Sequence, residues 1–410
     1  MKKDLQWKPE RQNEVVKMCN CYNFNQVIER KNTNCLKYDS AIRRGKPEHV
    51  LPLWVADMDF QTAPEIIEEI KERVEHGIFG YSEPQETYFE ALQDWMKQKH
   101  AWDIQQNWLV KTPGVVFALA TAVRTFTKEG DTVLIQSPVY YPFREVVENN
   151  HRTVADNTLV QGEDGKYQMD YQDFENQIVE HKIRLFLLCN PHNPVGRVWT
   201  PQELQKIGEI CLRHHVIVVS DEIHGDFALE GYQHQVFANL TPELADITIT
   251  CTSPSKTFNL AGLQVSNILI ANQQLKRKFQ KEINASGYSQ LNVMGLTACE
   301  AAYRYGGRWH QAFMAYLQDN LSYVRTFLRS HLPQIKLIEP EGTYLIWLDF
   351  RGLGLSENKR EELIVENAKL WLDSGIMFGK SGEGFERMNI ACPRSILREA
   401  LERLALAVIS

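Results

Sequence analysis

The stretch Val216-Ile-Val-Val-Ser220-Asp221-Glu-Ile-His224 decides the fold. Its first five residues run apolar or small without polar alternation, as in a strand covered on both faces of a parallel sheet. Upstream, Arg184-Leu-Phe-Leu-Leu188 is a second such run. Between them Thr200-Pro-Gln-Glu203 opens a helix, expected to reach about His215. Thr200 stands as N-cap, Pro201 takes the first position, and Glu203 closes a capping box. Thr132-Val-Leu-Ile135, after the turn-like Lys128-Glu-Gly-Asp131, and Ile247-Thr-Ile-Thr-Cys251 read as further strands. Strands alternating with helices predict a mostly parallel α/β domain over roughly residues 51–300.

Further along, the pattern changes. Thr343-Tyr-Leu-Ile-Trp-Leu-Asp-Phe350 alternates like a half-exposed strand, and a charged helix is expected from about Glu357 to Ser374. Arg387-Met-Asn-Ile-Ala391 reads as a short strand. Ser395 is expected to cap a last helix whose Ile396, Leu397, Ala400, Leu401 and Leu404 form one apolar stripe. This mixture predicts a smaller α+β domain over 301–410. Residues 1–50 are expected to pack on that domain or to cross to a partner subunit.

At 410 residues the chain is long enough for two cores. Its formal net charge of -7 gives no whole-chain field for nucleic acid. No apolar run is long enough to span a bilayer, and the stretch Met1 to Glu10 lacks the apolar core of a signal peptide. A cytoplasmic protein is expected, with neither membrane nor nucleic acid as partner. The eight cysteines do not form a disulfide framework in so long a chain. Cys19-Asn-Cys21 lacks a second ligand pair, so no metal site is expected, and Cys189, Cys211 and Cys251 read as small core residues.

The chemistry gathers at strand ends. Lys256 sits in Thr252-Ser-Pro-Ser-Lys-Thr-Phe-Asn-Leu-Ala-Gly262. A lysine after a strand is more often a surface charge, but one flanked by hydroxyls can form a Schiff base with an aldehyde cofactor while the serines meet a phosphate. Asp221 ends its strand where α/β sheets bind ligands. It would hold a pyridine nitrogen in its protonated form, or serve as a helix cap or metal ligand. Asn190-Pro-His-Asn-Pro-Val-Gly196 is a rigid turn in which Gly196 can take a positive φ and Asn193 can hold a phenolic oxygen. Lys111-Thr-Pro-Gly-Val-Val-Phe117 opens a helix whose glycine lets N–H groups close on a phosphate, or is a structural helix start only. One tyrosine of Ser137-Pro-Val-Tyr-Tyr-Pro-Phe143 can stack on a flat ring, or both belong to the core. Two other motifs fail. Phe378-Gly-Lys-Ser-Gly-Glu-Gly384 has Ser374 where a phosphate-binding loop needs glycine, and no Gly-x-Gly-x-x-Gly opens a helix for nicotinamide.

With these residues in order, the chain resembles the fold-type I pyridoxal-phosphate enzymes of the aminotransferase class I/II superfamily. Within it, the chain is most similar to the MalY/PatB-type cystathionine β-lyases, which are C–S lyases. The motifs carrying this run from Leu53-Trp-Val-Ala-Asp-Met-Asp-Phe60 and Phe79-Gly-Tyr-Ser82 through Asp221-Glu-Ile-His224 to Arg387-Met-Asn-Ile-Ala-Cys-Pro-Arg394. The resemblance implies the fold-type I fold, with pyridoxal 5'-phosphate bound to Lys256, which also shuttles protons. It pairs Asp221 with the pyridine nitrogen and places Asn193 and His224 at the phenolic oxygen. Tyr140 would stack on the ring. Gly114, Val115, Val116, Ser253 and Ser255 would hold the phosphate, and Tyr81 would reach it from the other subunit of a homodimer. Arg387 and Tyr81 would bind the substrate, Arg387 gripping its carboxylate. One departure stands out: where many aminotransferases carry an arginine eight residues after the lysine, this chain has Gln264.

The implied reaction is β-elimination of a sulfur amino acid such as cystathionine to a thiol, pyruvate and ammonia, within sulfur amino-acid metabolism and methionine biosynthesis. Transamination shares the steps up to the carbanion and is the alternative. A cofactor-binding protein with a mainly regulatory protein contact is the third reading.

Overall fold

The computed structural model describes residues 22–409, so the Cys19–Cys21 pair and the N-terminal decapeptide read above lie outside the described residues. A seven-stranded sheet takes β1 Leu109–Thr112, β2 Thr132–Ile135, β3 Thr153–Asp156, β4 Leu185–Cys189, β5 Ile217–Asp221, β6 Thr248–Thr252 and β7 Ser266–Leu269. Their order is β1-β7-β6-β5-β4-β2-β3. The strands from β3 to β6 run parallel, while β7 is antiparallel to both neighbours. β4 is buried along its whole length and β5 at all but its first residue. That burial on both faces is what their continuous apolarity predicts.

Helices supply the covering layers. α1 spans Glu86–His100, α2 Val115–Phe126, and α3 Pro201–Arg213. The α3 capping box forms as read: the Glu203 N–H donates to Thr200 Oγ1 at 3.2 Å, and the Thr200 N–H donates to Glu203 Oε2 at 2.8 Å. The helix ends two residues before the expected His215. A four-residue helix, α4 Pro254–Thr257, follows β6. Among the described residues no helix is long and apolar enough to cross a membrane.

A second, antiparallel sheet joins β8 Lys336–Ile338, β9 Leu345–Asp349, β10 Asp373–Ser374 and β11 Phe385–Asn389 in the order β8-β9-β11-β10. Helices α5 Gly307–His331 and α6 Arg394–Ile409 pack on it. Three expectations change here. β9 is buried throughout, not half-exposed. Trp347 stacks on Phe385 with ring centroids 5.2 Å apart on one face, while Ile346 and Leu348 share a core with Leu321 of α5 and Leu401 of α6 on the other. The charged helix begins at Glu357 but widens over Glu362–Asn367 and stops there, not at Ser374. Lys369 takes a positive φ of 53°, and Leu370–Trp371 then pairs in parallel with Leu51–Pro52. Burying that apolar pair, with Trp371 stacked on Trp54 at 4.3 Å, outweighs another turn of solvated helix. Ser395 is not a cap: it lies exposed in the first turn of α6, and the Pro393 carbonyl accepts the Ile396 and Leu397 N–H groups.

The segment before residue 51 is tied to the rest by aromatic and ionic contacts. Phe24 meets Phe60, Trp309, Phe313 and Tyr316. Lys37 is fully buried with its ammonium 2.7 Å from Asp59, which Arg30 also contacts at 2.6 Å.

Gly196 takes φ +73° at the end of the turn read from the sequence, and a Cβ there would lie 3.0 Å from that of Pro340. Gly196→Ala is expected to destabilise the protein by about 1–3 kcal/mol, through left-handed strain and this contact. A drop in the thermal unfolding midpoint checks it; an unchanged midpoint would show that the turn relaxes freely.

Candidate active site

The carboxyl ends of β4, β5 and β6 are adjacent, with Cys189 opposite Asp221 and Asp221 opposite Cys251. A cavity opens there, the place at which α/β sheets bind ligands. Its wall brings together Lys256, Asp221, His224, Asn193, Tyr140, Gly114, Val115, Val116 and Ser255 from five separate stretches of sequence. Gln264 and Cys189 are also on it. Ser253, Arg387 and Tyr81 are not.

Lys256 is delivered by α4, whose N-cap is Ser253. The Ser253 hydroxyl accepts the Ser255 N–H at 3.1 Å and donates to the Val265 carbonyl at 2.7 Å. It therefore secures the helix, and Ser255 is the serine that faces the cavity. Lys256 Nζ donates to the Ala56 carbonyl at 2.7 Å. Burial pulls its pKa down to about 8, with Arg387 adding to the fall and Asp57 and Asp221 opposing it. This raises the share of free amine, the form that attacks a carbonyl, above that of an ordinary lysine.

Asp221 is the counterpart. Burial lifts its carboxyl to about 7, against the Ile223 N–H donated at 3.1 Å and the positive charge of Lys256. A cationic group brought against it would satisfy the carboxylate and return it to the ionised form. His224 is pushed down to about 3 by burial, with Lys256 and Arg387 adding to the shift, so it is neutral, and its Nδ1 is buried without a partner. The Asn193 carbonyl accepts the Tyr140 N–H at 3.0 Å, and Asn193 Oδ1 accepts Arg387 Nη1 at 3.1 Å, which turns the Asn193 amide N–H pair to other use. Burial raises the Tyr140 phenol, which stays protonated.

At the other end, Gly114 is the N-cap of α2 in extended backbone, and a Cβ built on it would meet nothing within 4 Å. The N–H groups that open α2 have no intrahelical acceptor, and the helix dipole favours an anion there. The residues present fit pyridoxal phosphate: an amine, a carboxylate that lacks a cation, an orphaned imidazole nitrogen, an amide donor, and an open anion cradle. No arginine stands at Gln264, so the charge on that cradle rests on N–H groups and the Ser255 hydroxyl.

Arg387 lies behind Asn193, 2 % exposed. Its Nη2 donates to the Trp54 carbonyl at 2.9 Å and to Asp373, while Nε is buried without a partner. Every two-pronged face of a guanidinium uses the nitrogen opposite Nε's carbon substituent, so gripping a carboxylate requires Nη2 to exchange one of these acceptors. Tyr81 is 99 % exposed, beside the exposed Ile78 and Phe79. Sequence reasoning missed the Ala56 carbonyl; the Leu53–Phe60 motif marked the segment, but a backbone acceptor leaves no trace in residue type.

A family model for aminotransferase class I and II matches residues 48–404, and the chain belongs to this family. It is 42% identical to cystathionine beta-lyase PatB of Bacillus subtilis, over 94% of this chain and 100% of that protein. Among solved structures it is similar to a PLP-bound putative aminotransferase from Clostridium difficile, at TM-score 0.92 and 41% identity, covering 94% of this chain and 100% of that one. A PLP-bound C-S lyase from Staphylococcus hominis matches at TM-score 0.88 and 33% identity, covering 95% and 98%.

Asp221 supplies a test that needs no cofactor. Its folded pKa, raised to about 7, lies above the ordinary carboxylate value. The folded state therefore keeps a proton that the unfolded chain loses, and the contribution of Asp221 to stability falls as pH rises from about 4 to 7. The cofactor-free Asp221→Asn protein is expected to match wild type most closely below about pH 4 and to exceed it by a margin that grows up to pH 7, then levels. Unfolding midpoints across pH check this; a pH-independent difference would contradict it.

Proposed function

We propose that this chain is a pyridoxal 5'-phosphate enzyme that cleaves carbon–sulfur bonds by β-elimination. Cystathionine or a related cysteine S-conjugate, with water, would give a thiol such as homocysteine, pyruvate and ammonia. The observation that carries the reading is the opposition of a depressed lysine amine and a buried, raised carboxyl across one cavity, Lys256 and Asp221. The likeness to cystathionine beta-lyase PatB over the full length of that protein favours sulfur chemistry. When bound, the cofactor supplies an aldehyde for the amine and a ring that withdraws electrons from the substrate α-carbon.

The chain's own residues do the rest. Lys256 Nζ would hold the aldehyde end, and the same amine is the base that would take the substrate α-proton. Asp221 keeps a proton on the ring nitrogen. The Asn193 amide donates to the phenolic oxygen, with His224 beside it, and Tyr140 covers the ring face. Gly114, Val115, Val116 and Ser255 receive the phosphate, with Ser253 fixing the serine turn behind them. Arg387 orients the substrate carboxylate, where a guanidinium fork holds a plane that an ammonium cannot.

The same reading takes residues 51–300 as the cofactor domain and 301–410 as the smaller domain. It also takes the protein as a cytoplasmic homodimer, active in sulfur amino-acid metabolism and methionine biosynthesis. The exposure of Ile78, Phe79 and Tyr81 supports a subunit contact there, with Tyr81 reaching the partner's phosphate and substrate.

Purified protein incubated with cystathionine is expected to release pyruvate and a thiol in equal amounts. A sulfur-bearing keto acid in their place would establish transamination instead. Lys256→Ala should lose at least about 10²–10⁴-fold in turnover, the usual share of one positioned acid–base group; undiminished turnover would sink the assignment.

A further inference from the structure

Asp221 ends β5 and Lys256 lies in α4 just after the adjacent β6, and a cluster of hydrogen bonds outside the cavity joins the segments that carry them. Five residues after Asp221, Asp226 lies in the turn Gly225–Phe227. Its carboxylate accepts the Thr257 hydroxyl at 2.6 Å, and Thr257, fully buried, is the residue next to Lys256. From α1 the same carboxylate receives His100 Nε2 at 2.9 Å and Trp95 Nε1 at 3.1 Å. From α5, His310 Nε2 donates to the Asp226 backbone carbonyl at 2.9 Å. The hydrogen bonds that converge here outweigh burial and hold the Asp226 carboxyl well below its ordinary range, so it is an ionised acceptor at any working pH.

A helix of four residues cannot hold its own geometry, because nucleation fixes several dihedrals for a single hydrogen bond. α4 is therefore as rigid as its anchors. Ser253 holds its first end. At its last residue, the Thr257 hydroxyl ties it to the loop that follows Asp221 and carries His224. Neither Asp226 nor Thr257 is on the cavity wall.

We infer that Asp226 and Thr257 are positioning residues, a brace that sets the reach of the Lys256 amine toward Asp221. The brace acts through geometry and makes no contact with substrate or cofactor. It rests on the cofactor reading above. Thr257→Val keeps the side-chain shape and removes only the hydroxyl, and Asp226 retains its His100 and Trp95 donors, so no buried charge is orphaned. Thr257→Ser keeps the hydroxyl.

The test strips cofactor from full-length wild type and both variants, then mixes each with pyridoxal phosphate. The Lys256 amine condenses with the aldehyde with loss of one water, followed by absorbance. Thr257→Val is expected to condense about tenfold more slowly or worse, and to lose a similar factor in kcat at unchanged KM, because misplacement of a reacting group is costly. Thr257→Ser should stay close to wild type in both. Condensation of the valine variant at the wild-type rate, or equal impairment of the two variants, overturns the brace. Wild-type protein that takes up no cofactor overturns instead the assignment on which the brace rests.

Discussion

The hydrogen bond from Lys256 Nζ to the Ala56 carbonyl, at 2.7 Å, ties the cavity's amine to a segment that is gripped from the side of each sheet. Ala56 belongs to a connecting segment of no sheet, and the Tyr344 hydroxyl, next to β9, shares the same carbonyl at 2.9 Å. Buried backbone outside a ladder must find partners elsewhere, and two asparagines supply them. Asn389 of β11 donates to the carbonyls of Val55 and Asp57, while Asn259, just beyond Lys256, donates to those of Met58 and Phe60 and accepts the Met58 N–H. One asparagine comes from each sheet's side of the cavity. Beneath the segment, Asp57 and Asp59 pair with Arg30 and with the fully buried Lys37. Removing one member of such a set would leave an uncompensated charge, so the cage holds the segment to one path.

Burial then does opposite things to the two groups it encloses. Desolvation disfavours charge of either sign, so it lowers Lys256 and raises Asp221. Each is left short of an opposite charge of its own, which is the state of a site built to receive a charged, aromatic ligand. The turn holding Asn193 and the start of α2 close the other sides, and Gly114 leaves room where a side chain would intrude. The brace at Asp226 and the strap at Ala56 hold Lys256 from two directions, one through its neighbour's hydroxyl and one through its own nitrogen.

Much of this was legible in residue order. β2, β4 and β5 are largely apolar runs and β6 alternates with β-branched residues, patterns that read as strands, and the α3 cap is a local pattern of four residues. Lys256, Asp221, Asn193 and Tyr140 follow strand ends or turns, where an α/β sheet presents its ligand groups. Two local readings failed because a distant partner decided them. β9 alternates in sequence yet is buried on both faces, since Trp347 finds Phe385 on one side and α5 and α6 cover the other. The charged helix stops early because Leu370 and Trp371 are claimed by Leu51 and Trp54. Ser253 and Ser255 look alike in sequence, and only the tertiary structure brings the Val265 carbonyl to the Ser253 hydroxyl.

By itself, the sequence determined which strands exist, which residues carry reactive groups, and the strand ends at which they emerge, because hydrophobic period and turn chemistry act over a few neighbours. Tertiary structure alone decided that these groups share one cavity, that burial lowers Lys256 and raises Asp221, and that Arg387 is already committed to Trp54 and Asp373. Those properties depend on desolvation and on partners up to hundreds of residues away in the chain. No local pattern encodes either.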